Sequence, residues 1–208
     1  MGYDGEPMKD YEKLSREHFD AMAENYDLKD GTYYSELPKK CCDAAAEVIS
    51  GIAYDKMLDV GCGTGYLVRK LFSLRRAEYC GLDLSPEMLK QARSKFRESD
   101  SVSFTQGSSE KLPYEDETFD VLTCIMSFHH YPNPQNAVNE AYRVLKHGGT
   151  YIVADVDKHG YTPSEPSEVA AYDAEEMGNM MRTAGFSVLS LSVPAERSYM
   201  VIAEKLLQ

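Results

Sequence analysis

The chain has no tryptophan, and its five cysteines include no C-x-x-C pair. Metal-ligand spacing of the zinc type is therefore missing. N-x-[ST] sequons are absent as well, and no apolar segment follows the charged opening "MGYDGEPMKDYEKL", so a secretory leader is not expected. The least charged stretch, between Asp120 and Glu140, is broken by "PNPQN" and cannot serve as a membrane span. Basic residues are scarce, with 22 Lys and Arg against 34 Asp and Glu, a net charge of −12. A surface of that sign repels a phosphate backbone. These absences together predict a cytoplasmic protein that binds neither nucleic acid nor membrane.

What is present is ordinary for a globular chain: 208 residues, 43% hydrophobic and 27% charged. That supports one core and one domain, predicted as residues 1–208, with 1–53 forming helices over a core of 54–208. Cys62, Cys80 and Cys124 fall in or beside apolar runs and read as buried free thiols. The adjacent Cys41 and Cys42 leave a soft-metal alternative open, although no third ligand is identifiable; no metal is expected.

Tyr11, Leu14, His18, Phe19 and Met22 recur at helical spacing over Asp10 to Tyr26, predicting an amphipathic helix. "KDGTYYSE" reads as a loop, and Pro38 as the opening of a second helix that reaches Ile52. Strand and helix patterns then alternate. "KMLDV", "AEYCGLDL", "SVSFTQG", "FDVLTCIMSF" and "TYIVADV" read as strands. Between them lie "YLVRKLFSL", "SPEMLKQARSKF" and "PQNAVNEAYRVLK", the last taken to stop at Gly148-Gly149. A helix from Asp173 to Ala184 precedes two strand-like runs, "FSVLSLSV" and "SYMVIAEKL", joined by "PAER" as a hairpin. The alternation predicts an α/β fold: a doubly wound, mostly parallel seven-stranded sheet, Rossmann-like, closed by a C-terminal antiparallel hairpin.

The stretch "MLDVGCGTGYL" concentrates Gly61, Gly63 and Gly65 just after the first strand. Glycines there allow a tight turn and let a ligand touch bare main chain, at a helix amino terminus with free N–H groups. Asp59 ends the first strand and Asp83 the second. A carboxylate at the second position can accept both hydroxyls of a ribose. The dinucleotide fingerprint G-x-G-x-x-G is not met, because Tyr66 takes the third glycine's place, and no G-K-[ST] follows. An acid at Asp59 is poor company for a pyrophosphate and good company for an ammonium. A nucleoside with an amino-acid tail fits both acids.

"LDVGCGTGYL", "GLDLSPEMLKQAR", "EKLPYEDETFDVL" and "EAYRVLKHGGTYIVAD" resemble, in order, the successive motifs of the class I S-adenosylmethionine-dependent methyltransferases, in their branch of small stand-alone domains. The resemblance runs from about Phe19 to the end. It implies S-adenosylmethionine as cofactor, S-adenosylhomocysteine as product and a small-molecule methyl acceptor. By the same resemblance Asp59, Gly61, Cys62, Gly63 and Gly65 would line the methionine part. Asp83 would hold the ribose, and Leu84 and Met88 would flank the adenine. Ser108 and Ser109 would meet the adenine edge; many relatives carry an aspartate at the position of Ser108. Met126 and Ser127 would lie near the sulfonium, and Tyr26 would cover the cofactor.

Methyl transfer from a sulfonium is an in-line displacement in which positioning does much of the work. A base is needed where the acceptor must lose a proton. His129 and His130, in "SFHHYPNP" after the fourth strand, are the candidates for it, or else packed residues bonded to backbone. Tyr11, Tyr33, Tyr34, Tyr131 and Tyr161 are candidates for an acceptor wall, Phe19 reads as a core residue of its helix, and Met177, Met180 and Met181 read as core. A silent cofactor-binding protein and an NAD-dependent oxidoreductase on the same sheet are the rival readings. Monomer and homodimer are both open.

Overall fold

In the computed structural model, described over residues 10–28, 33–97, 101–159, 161 and 167–207, the apolar runs become a single sheet. Its strands are β1 (Lys56–Val60), β2 (Glu78–Asp83), β3 (Val102–Gln106), β4 (Phe119–Ile125), β5 (Leu145–Val156), β6 (Ser187–Ser192) and β7 (Ser198–Glu204). They lie in the order β3-β2-β1-β4-β5-β7-β6. β3 through β5 are mutually parallel, and β7 runs antiparallel to both β5 and β6. The doubly wound sheet and its closing hairpin are thus as the alternation of patterns predicts.

The helices are α1 (Tyr11–Met22), α2 (Tyr33–Ser50), α3 (Tyr66–Leu74), α4 (Pro86–Arg93), α5 (Pro134–Val144) and α6 (Ala174–Ala184). A 3-10 segment, Ala23–Leu28, continues α1. Side chains alternate along each strand, and the core divides accordingly. Met57, Val121 and Ile152 pack with Cys41, Ala45 and Ile49 of α2 and with Leu67 and Leu71 of α3. Their neighbours Leu58, Leu122 and Val153 face the other way, onto Val138 and Ala141 of α5 and Met177 and Met181 of α6. Truncating a fully buried leucine such as Leu58 to alanine costs about 2–5 kcal/mol. Cys41, Cys62, Cys80 and Cys124 are buried thiols, and all five cysteines are free.

The helix ends obey local chemistry. Ser85 caps α4 by accepting from Met88 N–H, with Pro86 in the first turn. Asp173 and Glu176 form a reciprocal capping box on α6, and Gly185, at φ 107°, ends it. Several boundaries differ from the sequence reading: α1 gives way to the 3-10 segment after Met22, and α4 ends at Arg93. α2 begins at Tyr33, so Pro38 lies inside the helix rather than at its start; its fixed φ suits the helix, at the cost of the bond to the carbonyl four residues back and of crowding between that carbonyl and the ring. α5 stops at Val144 instead of at the glycines. Leu145 is fully buried and already paired with Phe119, so the chain passes directly from helix into strand. The predicted loop "KDGTYYSE" accordingly shrinks: Tyr33 to Glu36 are helical, and residues 29–32 lie outside the described part. Among the described residues no helix is long and apolar enough to cross a membrane.

Candidate active site

β1 lies between β2 and β4, where the winding of the chain reverses. In such sheets a crevice opens at that point, beyond the carboxyl ends of the strands. The cleft found there is floored by Asp59, Gly61, Cys62 and Gly63 after β1, and by Asp83, Leu84 and Met88 from β2 into α4. Gly107, Ser108 and Ser109 follow β3 at one end, and Met126, Ser127 and His130 follow β4 at the other. Glu12, Ser15, Arg16 and Phe19 of α1, with Tyr26, form its roof. Of the described residues singled out in the sequence for the site, Gly65, His129, Tyr11 and Tyr161 do not line it.

The glycine turn explains itself in space. Gly61 has φ 72° and donates its N–H to Leu82 O at 2.7 Å. Gly63 has φ 52°, and a Cβ added there would meet nothing within 4 Å. Gly65 caps α3, and a Cβ added there would press on Ala92 at 3.2 Å and Phe104 at 3.3 Å. Beside the turn, Met126 holds φ 55° at the end of β4. A non-glycine residue in that region is strained, and such strain concentrates at functional sites.

Two carboxyl groups sit under the turn. Asp59 is buried and accepts from Thr123 Oγ1 at 2.7 Å. Burial, reinforced by the nearby Asp83 charge and opposed by the Thr123 bond, pushes its pKa up to about 7. Asp83 accepts from Gly63 N–H at 2.8 Å and Ser85 N–H at 2.9 Å. Burial raises its pKa too, against those backbone bonds. Among the described residues no cation pairs with either acid. Asp59, buried, and Asp83, half-buried at the cleft wall, make a slot that favours a positive ligand.

The roof is tied down by three acidic side chains. Ser108 donates its hydroxyl to Glu12 of α1. Ser85 donates to Asp20 at 2.6 Å. Asp27 accepts from Thr64 Oγ1 at 2.7 Å and pairs with Lys95 at 2.6 Å, and those bonds hold its carboxyl below its usual range against the cost of burial. Tyr26 is pushed up to about 12 by burial and by the neighbouring acidic groups, so it stays a neutral phenol.

The two histidines separate in role. His129 donates its backbone N–H to Asp155 at 3.0 Å, and its ring Nδ1 meets the same carboxylate at 2.7 Å. Burial opposes charge on that ring, but the Asp155 carboxylate outweighs it and its pKa is raised. His130 stacks beside it, ring centres 4.1 Å apart, with Phe19 edge-on at 5.0 Å. Burial, then the His129 charge, lower the His130 pKa to about 4. Its Nδ1 lies 3.0 Å from the Ser167 carbonyl. A carbonyl only accepts, so Nδ1 carries the hydrogen and Nε2 keeps the lone pair.

Tyr131 lines the cleft, with its hydroxyl 2.9 Å from Ser127 Oγ. Tyr161 sits beside His129 and donates to Glu168. The side chains of Tyr33 and Tyr34 lie outside the described residues. Phe19, read as core, belongs to the cleft wall instead. Glu12, Ser15 and Arg16 were not singled out; with Phe19 they form a mixed polar stripe at helical spacing, which an apolar-periodicity search passes over. Pro38 and Cys42 of α2, and Thr64, also line the cleft without having been anticipated. Among the described residues no group of three His, Cys, Asp or Glu side chains is arranged to hold a metal ion.

Residues 58–153 match the family model described as "Methyltransferase domain". The chain is 36% identical to an uncharacterized methyltransferase of Bacillus subtilis over 55% of its length and 44% of that protein's, so it spans less than half of that relative. It is 30% identical to the ubiquinone/menaquinone biosynthesis C-methyltransferase of Pseudomonas paraeruginosa, over 84% of this chain and 68% of the other. Among solved structures, the [4+2]-cyclase SpnF superposes with a TM-score of 0.83 at 19% identity, over 99% of this chain and 100% of that one; at that identity the likeness speaks for the fold alone. A 30% match sustained over two thirds of a methyltransferase, together with the family model, means that the chain belongs to the class I S-adenosylmethionine-dependent methyltransferases.

Proposed function

We propose that the chain transfers a methyl group from S-adenosylmethionine to a small, planar, hydroxylated aromatic acceptor of the reduced-quinone kind. The observation that carries the reading is a pair of acids, Asp59 buried and Asp83 half-buried, that meet no counter-charge among the described residues and stand on either side of a turn whose Gly63 faces open space. An ammonium beside Asp59 offsets its burial, and Asp83 accepts the ribose hydroxyls. Bare main chain at Gly61 and Gly63 admits the amino-acid tail, so the residues present fit the cofactor. In this reading residues 1–53 form the cover and 54–208 the core of one domain.

When bound, S-adenosylmethionine supplies an electrophilic methyl carbon whose leaving group departs neutral. The chain's own residues hold the acceptor in line with it. Phe19, Met126, Tyr131 and Pro132 give that end of the cleft an aromatic and apolar wall, suited to a flat ring. His130, with its lone pair on Nε2, takes the proton of an acceptor hydroxyl, which makes the neighbouring ring carbon nucleophilic; once methylated, that carbon gives up its hydrogen to solvent, the oxygen takes back the proton from His130, and the aromatic ring is restored. His129, braced by Asp155, holds the His130 ring in place. The relative from Pseudomonas is a C-methyltransferase of quinone biosynthesis by its name, which supports this acceptor class.

His130→Ala is therefore expected to lower kcat about 100-fold on a 1,4-naphthohydroquinone acceptor, the low end of the range for removing a general base, since an imidazole with a pKa far below the working pH is a weak one. Because the His130 pKa is about 4, the imidazole is already neutral at higher pH, and the His130-dependent rate should be flat from pH 6 to 8. Mass-spectrometric turnover assays with both proteins check this. An undiminished rate in His130→Ala removes the base; no methylated product with any hydroxylated aromatic removes the acceptor class.

A further inference from the structure

The cleft crosses three strand ends in sequence: Asp59 at β1, Asp83 at β2 and Ser108 at β3. A nucleoside with its amino-acid tail at Asp59 and its sugar at Asp83 must place its base at the β3 end. An adenine presents an amino group there, a donor that needs an acceptor. The residue at the strand end, Ser108, is a poor one. Its hydroxyl hydrogen is given to Glu12, and its oxygen accepts from Glu110 N–H at 3.1 Å. A hydroxyl has one hydrogen and two lone pairs, so a single lone pair remains. Glu12, by contrast, is a carboxylate with about four acceptor sites, of which Ser108 uses one. It reaches the β3 end from α1, a helix far away in the chain, and it lines the cleft.

We propose that Glu12 is the specificity-determining acceptor for the adenine amino group of the cofactor, with Ser108 acting to orient its carboxylate. The proposal rests on the cofactor reading above. It makes α1 part of the binding site as well as its roof. Asp20 and Asp27 fix the same helical segment to Ser85, Thr64 and Lys95, so the carboxylate is delivered by a helix already anchored around the cleft. A carboxylate also discriminates. It accepts from an amino group and repels the carbonyl oxygen that takes its place in a deaminated base.

The test compares S-adenosylhomocysteine with S-inosylhomocysteine by titration calorimetry. The wild-type chain should prefer the adenosyl compound by about 10- to 100-fold, the scale of one hydrogen bond to a charged group. Glu12→Gln, whose carboxamide can turn either its oxygen or its nitrogen to the base, should bring the two affinities within about threefold. Asp20→Asn, which loosens α1 without touching the base, should weaken both ligands alike and keep the ratio. A preference unchanged in Glu12→Gln overturns the proposal, whether or not affinity falls, because a merely structural Glu12 would affect both ligands equally. A wild-type chain that binds neither ligand overturns the underlying cofactor reading instead, and the proposal with it.

Discussion

Gly61→Ala should cost the fold, and Gly63→Ala should cost the ligand. At Gly61 an added Cβ would run into the Ser127 side chain, 2.6 Å from its Cβ and 3.2 Å from the Tyr131 hydroxyl, on a backbone at φ 72°. The left-handed conformation costs about 1–2 kcal/mol for a residue with a Cβ. Forcing a packed wall apart adds about 1–3 kcal/mol. The sum is roughly 3 kcal/mol, a fall in Tm on the order of 10 °C for a chain of this size. At Gly63 the same strain applies, but nothing lies within 4 Å of the new methyl. Stability should fall by only about 1 kcal/mol. The methyl projects into the space where the amino-acid tail must touch main chain, so affinity for S-adenosylhomocysteine should drop about 100-fold or more, as with a steric block of a tightly fitted ligand. Thermal unfolding and calorimetry on both variants check the contrast. Tight binding by Gly63→Ala would contradict the placement of the cofactor.

Asp83→Ala should abolish binding at micromolar ligand while leaving a folded protein. The carboxylate is the acceptor proposed for two ribose hydroxyls. Hydrogen bonds to a charged group contribute about 1.5–3 kcal/mol each, so losing both lowers affinity by at least about 100-fold. The same carboxylate also holds Gly63 N–H and Ser85 N–H. Alanine frees both donors at the cleft wall, where water can reach them, so the loss of stability should stay near 1–2 kcal/mol. Asp83→Asn keeps one acceptor oxygen and should fall between the two. Equal Kd values for wild type and Asp83→Ala, measured by calorimetry, would move the sugar elsewhere.

The sheet and the floor of the site were legible in the sequence because both are local. Strand runs bounded by glycines, with acids at two strand ends, state the β1 turn and the β2 terminus without any knowledge of distant contacts. The hairpin from Ser187 to Glu204 follows from two apolar runs and a four-residue break. The roof was not legible. Glu12 meets Ser108 across 96 positions of chain, and Asp20 meets Ser85 across 65; no periodicity encodes such pairs. Phe19 reads as core because its spacing in α1 is that of a buried face, yet it is only half-buried and lines the cleft. The helix ends failed for tertiary reasons. Leu145 goes into the sheet although the residues before it favour helix, since pairing with Phe119 and complete burial outweigh propensity. His129 and His130 are adjacent and chemically alike in the sequence. Only the partners, a carboxylate for one and a carbonyl for the other, tell them apart.

The central claim is that the cofactor's ammonium comes to rest beside Asp59. Asp59 has a pKa of about 7 in the free protein because its charge is buried and uncompensated. An ammonium beside it favours the ionised form, so the bound state holds fewer protons. Binding must then release protons, and affinity must rise with pH up to about 7 and level off above it. The most direct measurement is titration of S-adenosylhomocysteine into the protein at pH 7 in buffers of different ionisation enthalpy, alongside Asp59→Asn. The account predicts release of roughly half a proton per site in the wild type and none from the variant, with weaker binding. Binding without proton release, or the same release from Asp59→Asn, would contradict it.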